Sequence, residues 1–294
     1  MEFPVSGVET YWWLPALVAF CISVVTSTGG VTGAFILLPF QISVLGFTGP
    51  GASPTNLAFN IFAIPSGVWR FHREQRMLWS LAWATGLGTL PGVVIGAWIR
   101  IRYLPDPAGF KLFAGCVLLY LGAKLIYDLI NKRRAPKPSR ERLTITAEHL
   151  GLRKISYTYG SETYDMATGP IILLSLVVGI VGGAYGIGGG AILSPYFVAI
   201  YHLPVHSIAG AMLLGTWITS IAGVIIFVVI SPLITGGTVI EPDWLLGLSF
   251  GVGGALGVYT GAFLQRFIAP MIIKIVLVVA LLFIAGKYIM GYFW

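Results

Sequence analysis

The most informative stretch of the sequence is residues 179–195, which read GIVGGAYGIGGGAILSP. It is an apolar run that is interrupted at Gly186-Ile187-Gly188-Gly189-Gly190 and then resumes. The apolar residues on both sides are typical of membrane helices, since about 20 such residues span a bilayer. The glycines predict a break between two short helices at membrane depth. Such a break leaves backbone N–H and C=O groups unpaired, and it is tolerated only where protein or a water-filled cavity covers them.

The composition of the whole chain also indicates a membrane protein. Of 294 residues, 56% are hydrophobic and 10% are charged, whereas about 25% are charged in an ordinary soluble domain. Mean hydropathy is +0.87. These values exclude a water-soluble globular enzyme. We therefore predict an all-α polytopic protein that is surrounded by the lipid bilayer and has about ten membrane helices or half-helices.

The positions of the basic residues predict the orientation. Arg70, Arg73 and Arg76 crowd one short loop, and eight more lie in the polar segment 131–168, whereas residues 231–243 carry none. By the positive-inside rule, loops 70–77 and 131–168 are cytoplasmic, the N-terminus is outside, and the protein lies in the plasma (inner) membrane. The net charge of +7 is then an orientation signal, and no nucleic-acid partner is predicted.

Two basic residues depart from this pattern. Arg100 and Arg102 fall in a loop that is predicted to lie outside, where Asp106 partly matches their charge.

The two apolar halves resemble each other. At an offset of 156 residues, four positions of the first half correspond to four of the second: Gly30, Gly33, Pro39 and Gly67 to Gly186, Gly189, Pro195 and Gly223. Further on, 92–97 (GVVIGA) corresponds to 257–262 (GVYTGA). The orientation requires an odd number of crossings in each half, so the halves point in opposite directions. We predict two inverted five-helix repeats, 12–130 and 169–294, joined by the polar insert 131–168, in which a small hairpin surrounds Tyr159-Gly160-Ser161.

Paired, glycine-interrupted helices in an inverted repeat are typical of a secondary transporter. A break that is followed by a helix start aims N–H groups and the positive end of the helix dipole at one point, which suits an anion. The candidate substrate-binding residues lie at the two breaks and on the third helix of each half: Thr28, Gly29, Gly30, Thr32, Gly33, Asn56, Asn60, Gly186, Gly188, Gly189, Gly190, Ser194, Thr216 and Thr219. The alternative for any single glycine is close packing between helices.

The charges exclude several other sites. The apolar stretches contain almost no Asp or Glu, which argues against a cation substrate. His202 and His206 have a spacing that suits a metal, but Pro204 lies between them, so no metal site is predicted. No cofactor motif and no catalytic constellation is present. Protons are the candidate coupling ion, with one of these histidines as a candidate proton sensor.

The residues also resemble a known family. Residues 179–195, followed by Ala209-Gly210-Ala211 and Gly215-Thr216, resemble the TauE/SafE sulfite exporter family, also called the 4-toluene sulfonate uptake permease family. The first half departs from the pattern, because it has Ala34 where the second half has Gly190. The resemblance implies transport of sulfur-containing anions such as sulfite or organosulfonates.

We therefore predict a permease that moves a small anion by alternating access, with the anion held at the paired breaks. An anion channel that uses the same breaks as a pore is the alternative. A membrane-embedded enzyme or receptor subunit, which signals through the central segment, is the third hypothesis.

Overall fold

The computed structural model describes residues 1–27, 31–47, 49–130, 144–151, 153–201, 203–233, 240–264 and 270–293. Five α-helices precede the polar insert and five follow it, so the predicted count of about ten helices is confirmed. In chain order they are α1 Leu14–Ser27, α2 Ala34–Ser43, α3 Ala52–Arg73, α4 Trp79–Arg102, α5 Pro107–Ile130, α6 Thr168–Tyr185, α7 Gly190–Ile200, α8 Val205–Ile230, α9 Trp244–Leu264 and α10 Pro270–Phe293.

The helices differ in whether they can cross a membrane. Among the described residues, five helices are long and apolar enough to do so: α4, α5, α6, α8 and α9. Helices α1, α2 and α7 have 14, 10 and 11 residues, which correspond to about 21, 15 and 16 Å, short of the ~30 Å hydrocarbon core. Helix α3 has 22 residues but carries buried polar side chains, Asn56 and Asn60 among them. The chain is a multi-pass membrane protein that contains several half-length helices.

Glycines bring the most extensively packed helix pairs, α4 with α6 and α1 with α9, into backbone contact. On α4, a Cβ at Gly92 or Gly96 would overlap the Leu176 or Ile180 carbonyl of α6. On α9, a Cβ at Gly257 would lie 2.5 Å from the Phe20 carbonyl of α1. Small residues that allow such close approach are the usual basis of helix packing in membranes.

Helix contacts in the first half have counterparts in the second. Helix α1 packs on α9, and α6 packs on α4. Helix α3 packs on α9, and α8 packs on α4. The third helices, α3 and α8, pack on each other, as do the fifth helices, α5 and α10.

Two small β-structures mark opposite ends of the bundle. A hairpin of β1 (Glu2–Phe3) and β2 (Val8–Glu9) lies where α3 and α9 begin, and we call this the hairpin end. Here the buried Asp243 accepts hydrogen bonds from Ser6 N and Oγ at 2.9 and 2.8 Å and from Leu246 N at 3.0 Å. Asp243 N in turn donates to Thr55 Oγ1 at 2.8 Å. The carboxylate therefore caps α9, where the helix dipole favours a negative charge.

The opposite end, which we call the sheet end, carries a three-stranded antiparallel sheet. Its strands are β3 Ile145–Leu150, β4 Lys154–Tyr159 and β5 Glu162–Ala167. The turn between β4 and β5 has Gly160 at φ +66°, so the structure places a hairpin around Tyr159-Gly160-Ser161 and adds a third strand that was not predicted. Residues 131–143, with the basic run Lys132–Arg134, lie outside the described residues.

Side chains of the sheet contact helices of both halves. Glu148 Oε2 accepts from Ser80 N at the start of α4, at 3.0 Å. The Tyr157 hydroxyl lies 2.8 Å from Ser207 Oγ at the start of α8. Burial raises the pKa of the Tyr157 phenol, which therefore stays protonated at neutral pH.

Candidate functional site at the two helix breaks

The second break separates α6 from α7. Gly186 adopts φ +87° and Gly188 φ +72°, the left-handed region that favours glycine. The N–H groups of Gly186 and Ile187 both donate to the Gly182 carbonyl, at 2.8 and 3.1 Å, and this turn ends α6. A Cβ at Gly186 would lie 2.5 Å from the Ser53 carbonyl on α3, so this position also has no space for a side chain.

Thr216 on α8 caps the start of α7. Its Oγ1 accepts from Gly190 N at 2.9 Å and donates to the Met212 carbonyl at 2.8 Å. The side chain is buried. A Cβ at Gly190 would overlap both Thr216 Oγ1 and the Met212 carbonyl. The predicted site residue Thr216 therefore contacts the second break directly, and both hydrogen bonds of its hydroxyl go to backbone groups.

The first break separates α1 from α2. Thr28, Gly29 and Gly30 lie outside the described residues. Val31 N donates to the Thr26 carbonyl at 3.4 Å, and Gly33 occupies the position before the first turn of α2 without a side-chain cap. A Cβ at Gly33 would lie 3.1 Å from Ser23 Oγ.

Three buried hydroxyls along the first break have no hydrogen-bond partner among the described residues. They belong to Ser23 and Ser27 on α1 and to the predicted site residue Thr32. All three side chains are at most 2% exposed. A buried hydroxyl without a partner costs about 1–3 kcal/mol. These groups are therefore donors that a ligand or an ordered water can satisfy.

Two asparagines of α3 connect the breaks. Asn56 Nδ2 donates to the Ala34 carbonyl of the first break and to the Gly186 carbonyl of the second, both at 2.8 Å. Asn60 Nδ2 donates to the Ile187 carbonyl at 3.3 Å, and its Oδ1 has no partner in the described part of the chain. The two predicted residues lie between the breaks as expected. Their amide donors, however, bind backbone carbonyls of the breaks, and two of these, Gly186 and Ile187, lie just beyond the end of α6, where helical partners are lacking.

The remaining predicted residues lie behind the second break. Thr219 Oγ1 donates to the Gly215 carbonyl at 2.6 Å and lies 2.7 Å from Thr89 Oγ1 on α4. Thr89 in turn packs against Gly189, where a Cβ would lie 2.9 Å from its methyl carbon. Ser194 is buried one turn into α7, and no hydrogen bond among the described residues joins it to the asparagines.

Sequence reasoning missed several polar residues at the breaks. They are Ser23, Ser27, Gln41, Ser53, Thr89 and Ser220, all of which are buried. Gln41 Nε2 donates to Asn56 Oδ1 at 3.2 Å, and Ser220 Oγ accepts from Asn60 Nδ2 at 3.2 Å. These residues could have been predicted from their position, because each is a polar residue within an apolar helix. Polar residues in membrane helices usually face protein or a cavity.

Arg100 departs from the prediction that placed it in an outside loop with Asp106. It lies on the last turns of α4 and is fully buried. The exposed Asp106 instead caps α5, where its Oδ2 accepts from Gly109 N at 2.7 Å. The prediction was wrong because counting charges by loop does not detect a basic residue that is folded inward. In the described part of the chain, the buried charged side chains are Arg100 and Asp243. Asp243, the acidic one, lies at the hairpin end and not at a break.

Only one of the two histidines that have metal-ligand spacing lies within the described residues. His202 lies outside them. His206 Nδ1 lies 3.3 Å from Arg76 Nη2, which also donates to the His206 carbonyl at 3.1 Å. No cluster of three metal-ligating side chains occurs within the described ranges.

The fold and the breaks define a polytopic helical membrane protein with two interrupted helix pairs joined by polar side chains. The family model of the sulfite exporter TauE/SafE proteins matches residues 15–288, so the chain belongs to this family. It is a family of membrane transporters rather than of enzymes, as the sequence predicts.

The chain is also similar to a bacterial membrane protein. The chain is 24% identical over 198 residues to the "Probable membrane transporter protein YunE" of Bacillus subtilis (strain 168). The match covers 65% of this chain, and the chain spans 64% of that relative's length. No solved structure matches the chain.

Proposed function

We propose that this protein is a secondary transporter that moves a small anion by alternating access, with the anion held at the two helix breaks. The observation that carries the proposal is the set of three buried, unpartnered hydroxyls at the first break: Ser23, Ser27 and Thr32. Thr32 directly precedes Gly33 at the N-terminus of α2, and Ser23 Oγ lies next to Gly33, where the helix dipole favours negative charge. Ser27 ends α1, and its Oγ lies against Gly261 of α9. Hydroxyl donors and a helix N-terminus together suit an oxyanion.

The family membership favours a sulfur oxyanion such as sulfite or an organosulfonate. Tetrahedral and pyramidal oxyanions present several acceptor oxygens, which matches several hydroxyl donors. No acidic side chain lies at the breaks in the described residues. An anion would therefore meet no like charge there.

The side-chain contacts support two inverted repeats. A Cβ at Gly67 would lie 2.5 Å from Val258 and 3.1 Å from Leu213. At the corresponding place, a Cβ at Gly223 would lie 2.6 Å from Leu57 and 3.3 Å from Val93. Each of these four neighbours corresponds to its counterpart in the predicted repeat alignment. We propose that the repeats 12–130 and 169–294 rock against each other around the breaks.

The basic residues at one end of the bundle support the predicted orientation. Arg70 and Arg76 lie at the sheet end, each within 2.9 Å of Glu74. We propose that the sheet end is cytoplasmic and that the hairpin end faces outward across the plasma (inner) membrane.

The test is uptake by proteoliposomes that contain the purified protein. The anions are sulfite, sulfate, thiosulfate and 4-toluenesulfonate, each with and without a pH gradient. We expect saturable uptake of at least one anion, and a response to the gradient would identify protons as the coupling ion. Absence of uptake for the whole panel would contradict the proposal. Flux far above about 10³ per second, the upper end of typical turnover, would instead indicate the channel.

Variants then localise the site. Gly33→Leu and Gly188→Leu are expected to abolish uptake, because each adds a bulky side chain at a break. Gly286→Leu on α10 is the control, since a Cβ there has no heavy atom within 4 Å. Uptake at the wild-type rate by both break variants, with correct insertion, would refute the site.

A further inference from the structure

Arg100 is a permanent positive charge inside the bundle. Its guanidinium donates from Nε to Ser53 Oγ at 3.1 Å, from Nη2 to the Gly49 carbonyl at 3.2 Å, and from Nη1 to the Leu104 carbonyl. The Phe110 ring covers it, with the central carbon 3.6 Å from the ring centroid. The side chain has no exposed surface.

No acidic side chain balances this charge in the described part of the chain. The salt bridges there involve Arg70, Arg76 and Lys154 only. The partners of Arg100 are neutral oxygens and a ring. These partners solvate the cation without cancelling its charge, and a buried charge without a counter-ion is costly. Ionisable residues inside a membrane are functional candidates for this reason.

Two contacts connect Arg100 to the second break. Ser53 Oγ, which accepts from Arg100, also donates to the Ala184 carbonyl at 3.2 Å, two residues before Gly186. The backbone of Ser53 lies against Gly186, since a Cβ at that glycine would be 2.8 Å from Ser53 Cα. The guanidinium is therefore one side chain away from the break.

A second route reaches the first break. The Phe110 ring beneath the guanidinium packs on Tyr185 with centroids 6.2 Å apart. The Tyr185 hydroxyl donates to the Phe35 carbonyl in the first turn of α2, at 3.1 Å. Arg100 therefore lies next to side chains that reach both breaks.

We propose that Arg100 is a positioning residue for transport, whose missing counter-ion is the transported anion at the breaks. The inference rests on the proposed function. It adds a full positive charge to the neutral hydroxyls and the helix N-termini that are proposed to bind the anion. Its consequence is selectivity by charge, because a cation at a fixed place attracts a doubly charged anion more strongly than a singly charged one. Sulfate and doubly charged sulfite are therefore bound more tightly than 4-toluenesulfonate.

The experiment compares variants in proteoliposomes, with labelled sulfite as the probe and 4-toluenesulfonate as the singly charged competitor. Arg100→Gln is expected to raise the half-saturation concentration for sulfite at least tenfold, because it removes the buried positive charge that lies next to both breaks. The maximal rate is expected to change by less than about twofold, and 4-toluenesulfonate is expected to compete relatively better than in wild type. Arg100→Lys, which retains the charge, is expected to restore the half-saturation concentration to within about threefold of wild type.

Arg102→Gln is the matched control, because Arg102 is exposed on the same last turn of α4. If the wild type transports sulfite and Arg100→Gln retains its half-saturation concentration, this inference alone is overturned. Equal loss of maximal rate in both Arg100 variants, at unchanged half-saturation, would indicate a purely structural role and would also overturn it. If the wild type moves none of the anions, the proposed function fails and this inference fails with it.

Ser53→Ala keeps the experiment decisive if Arg100→Gln does not fold. This variant retains the cation but removes the hydroxyl that connects it to Ala184. We expect Ser53→Ala to raise the half-saturation concentration for sulfite more than Arg100→Lys does. An unchanged half-saturation concentration in Ser53→Ala would then refute the role.

Discussion

The two helix breaks occupy corresponding places in the chain, yet their polar groups are used differently. At the second break, the Thr216 hydroxyl is saturated by Gly190 N and the Met212 carbonyl. At the first break, the hydroxyls of Ser23, Ser27 and Thr32 are buried without partners among the described residues. One break therefore meets its own hydrogen-bonding needs, whereas the other retains unused donors. We therefore propose that, within the site formed by the two breaks, the first supplies the free donors for a ligand and the second the rigid support.

The sequence difference at the start of the two short helices has a physical cause. Gly190 has no space for a Cβ because Thr216 Oγ1 and the Met212 carbonyl occupy it. In the proposed repeat, Ala34 occupies the corresponding place in the first half, and Asn60 corresponds to Thr216. Asn60 donates away from α2, to Ile187 and Ser220. The methyl group of Ala34 is tolerated because no side chain of α3 caps the helix at that point.

The largest effect is expected where the two breaks are joined. Asn56→Leu leaves the Gly186 carbonyl without its donor and Gln41 Nε2 without its acceptor, at a cost of about 2–5 kcal/mol in total. We expect a much lower thermal unfolding midpoint in detergent and loss of transport. Gln41→Leu is the control, because it removes one hydrogen bond to Asn56 and leaves the Gly186 carbonyl paired. An Asn56→Leu variant as stable as Gln41→Leu would show that the breaks do not depend on this bridge.

Much of the architecture follows from patterns that are local in sequence. Apolar runs, and the glycines that interrupt them, predict that the chain is a membrane protein with about ten helices. They also predict the break between Tyr185 and Gly190. The predicted correspondence of the halves has the same origin, since it needs only spacing. These features depend on hydropathy and backbone geometry, which neighbouring residues determine.

The hydrogen-bond partners depend on how distant helices are placed, and the sequence does not show this. Asn56 and Asn60 were predicted to face a substrate, but in the structure their donors satisfy carbonyls of the breaks. Arg100 was assigned to a loop, although it folds inward against Ser53 and Phe110. Asn56 lies 130 residues from Gly186, Asn60 lies 127 residues from Ile187, and Arg100 lies 47 residues from Ser53. Only the packed structure reveals contacts between residues so far apart in sequence.

The next largest effect is expected at the start of α7. Gly190→Ala places a methyl group onto Thr216 Oγ1 and the Met212 carbonyl, and overpacking of this kind costs about 3 kcal/mol. We expect the unfolding midpoint to fall markedly and little folded protein to be recovered. The matched variant at the first break, Ala34→Gly, only removes a methyl group and is expected to cost about 1 kcal/mol. Similar losses in both variants would mean that the two breaks are packed alike.

A smaller loss is expected when the cap of the second break is removed while its shape is kept. Thr216→Val leaves Gly190 N buried without an acceptor, which costs about 1–2 kcal/mol. The unfolding midpoint should fall, while Thr216→Ser, which retains the hydroxyl, should lie closer to wild type. A midpoint for Thr216→Val equal to that of wild type would contradict the role of this hydroxyl as a support.

The smallest effect on stability, and the sharpest separation of the two breaks, is expected for Thr32→Val. The Thr32 hydroxyl is buried and unpartnered, so replacing it with a methyl group removes a desolvation cost and leaves the unfolding midpoint equal to wild type or higher. Because the same hydroxyl is an available donor for an anion, the half-saturation concentration for sulfite should rise about fivefold, the equivalent of a ~1 kcal/mol hydrogen bond. Thr260→Val is the control, since the exposed Thr260 hydroxyl donates to the Leu256 carbonyl of its own helix and is expected to change neither quantity. If Thr32→Val instead loses stability and retains the wild-type half-saturation concentration, the proposed roles of the two breaks are reversed. The first break would then be the support, and the second would hold the anion.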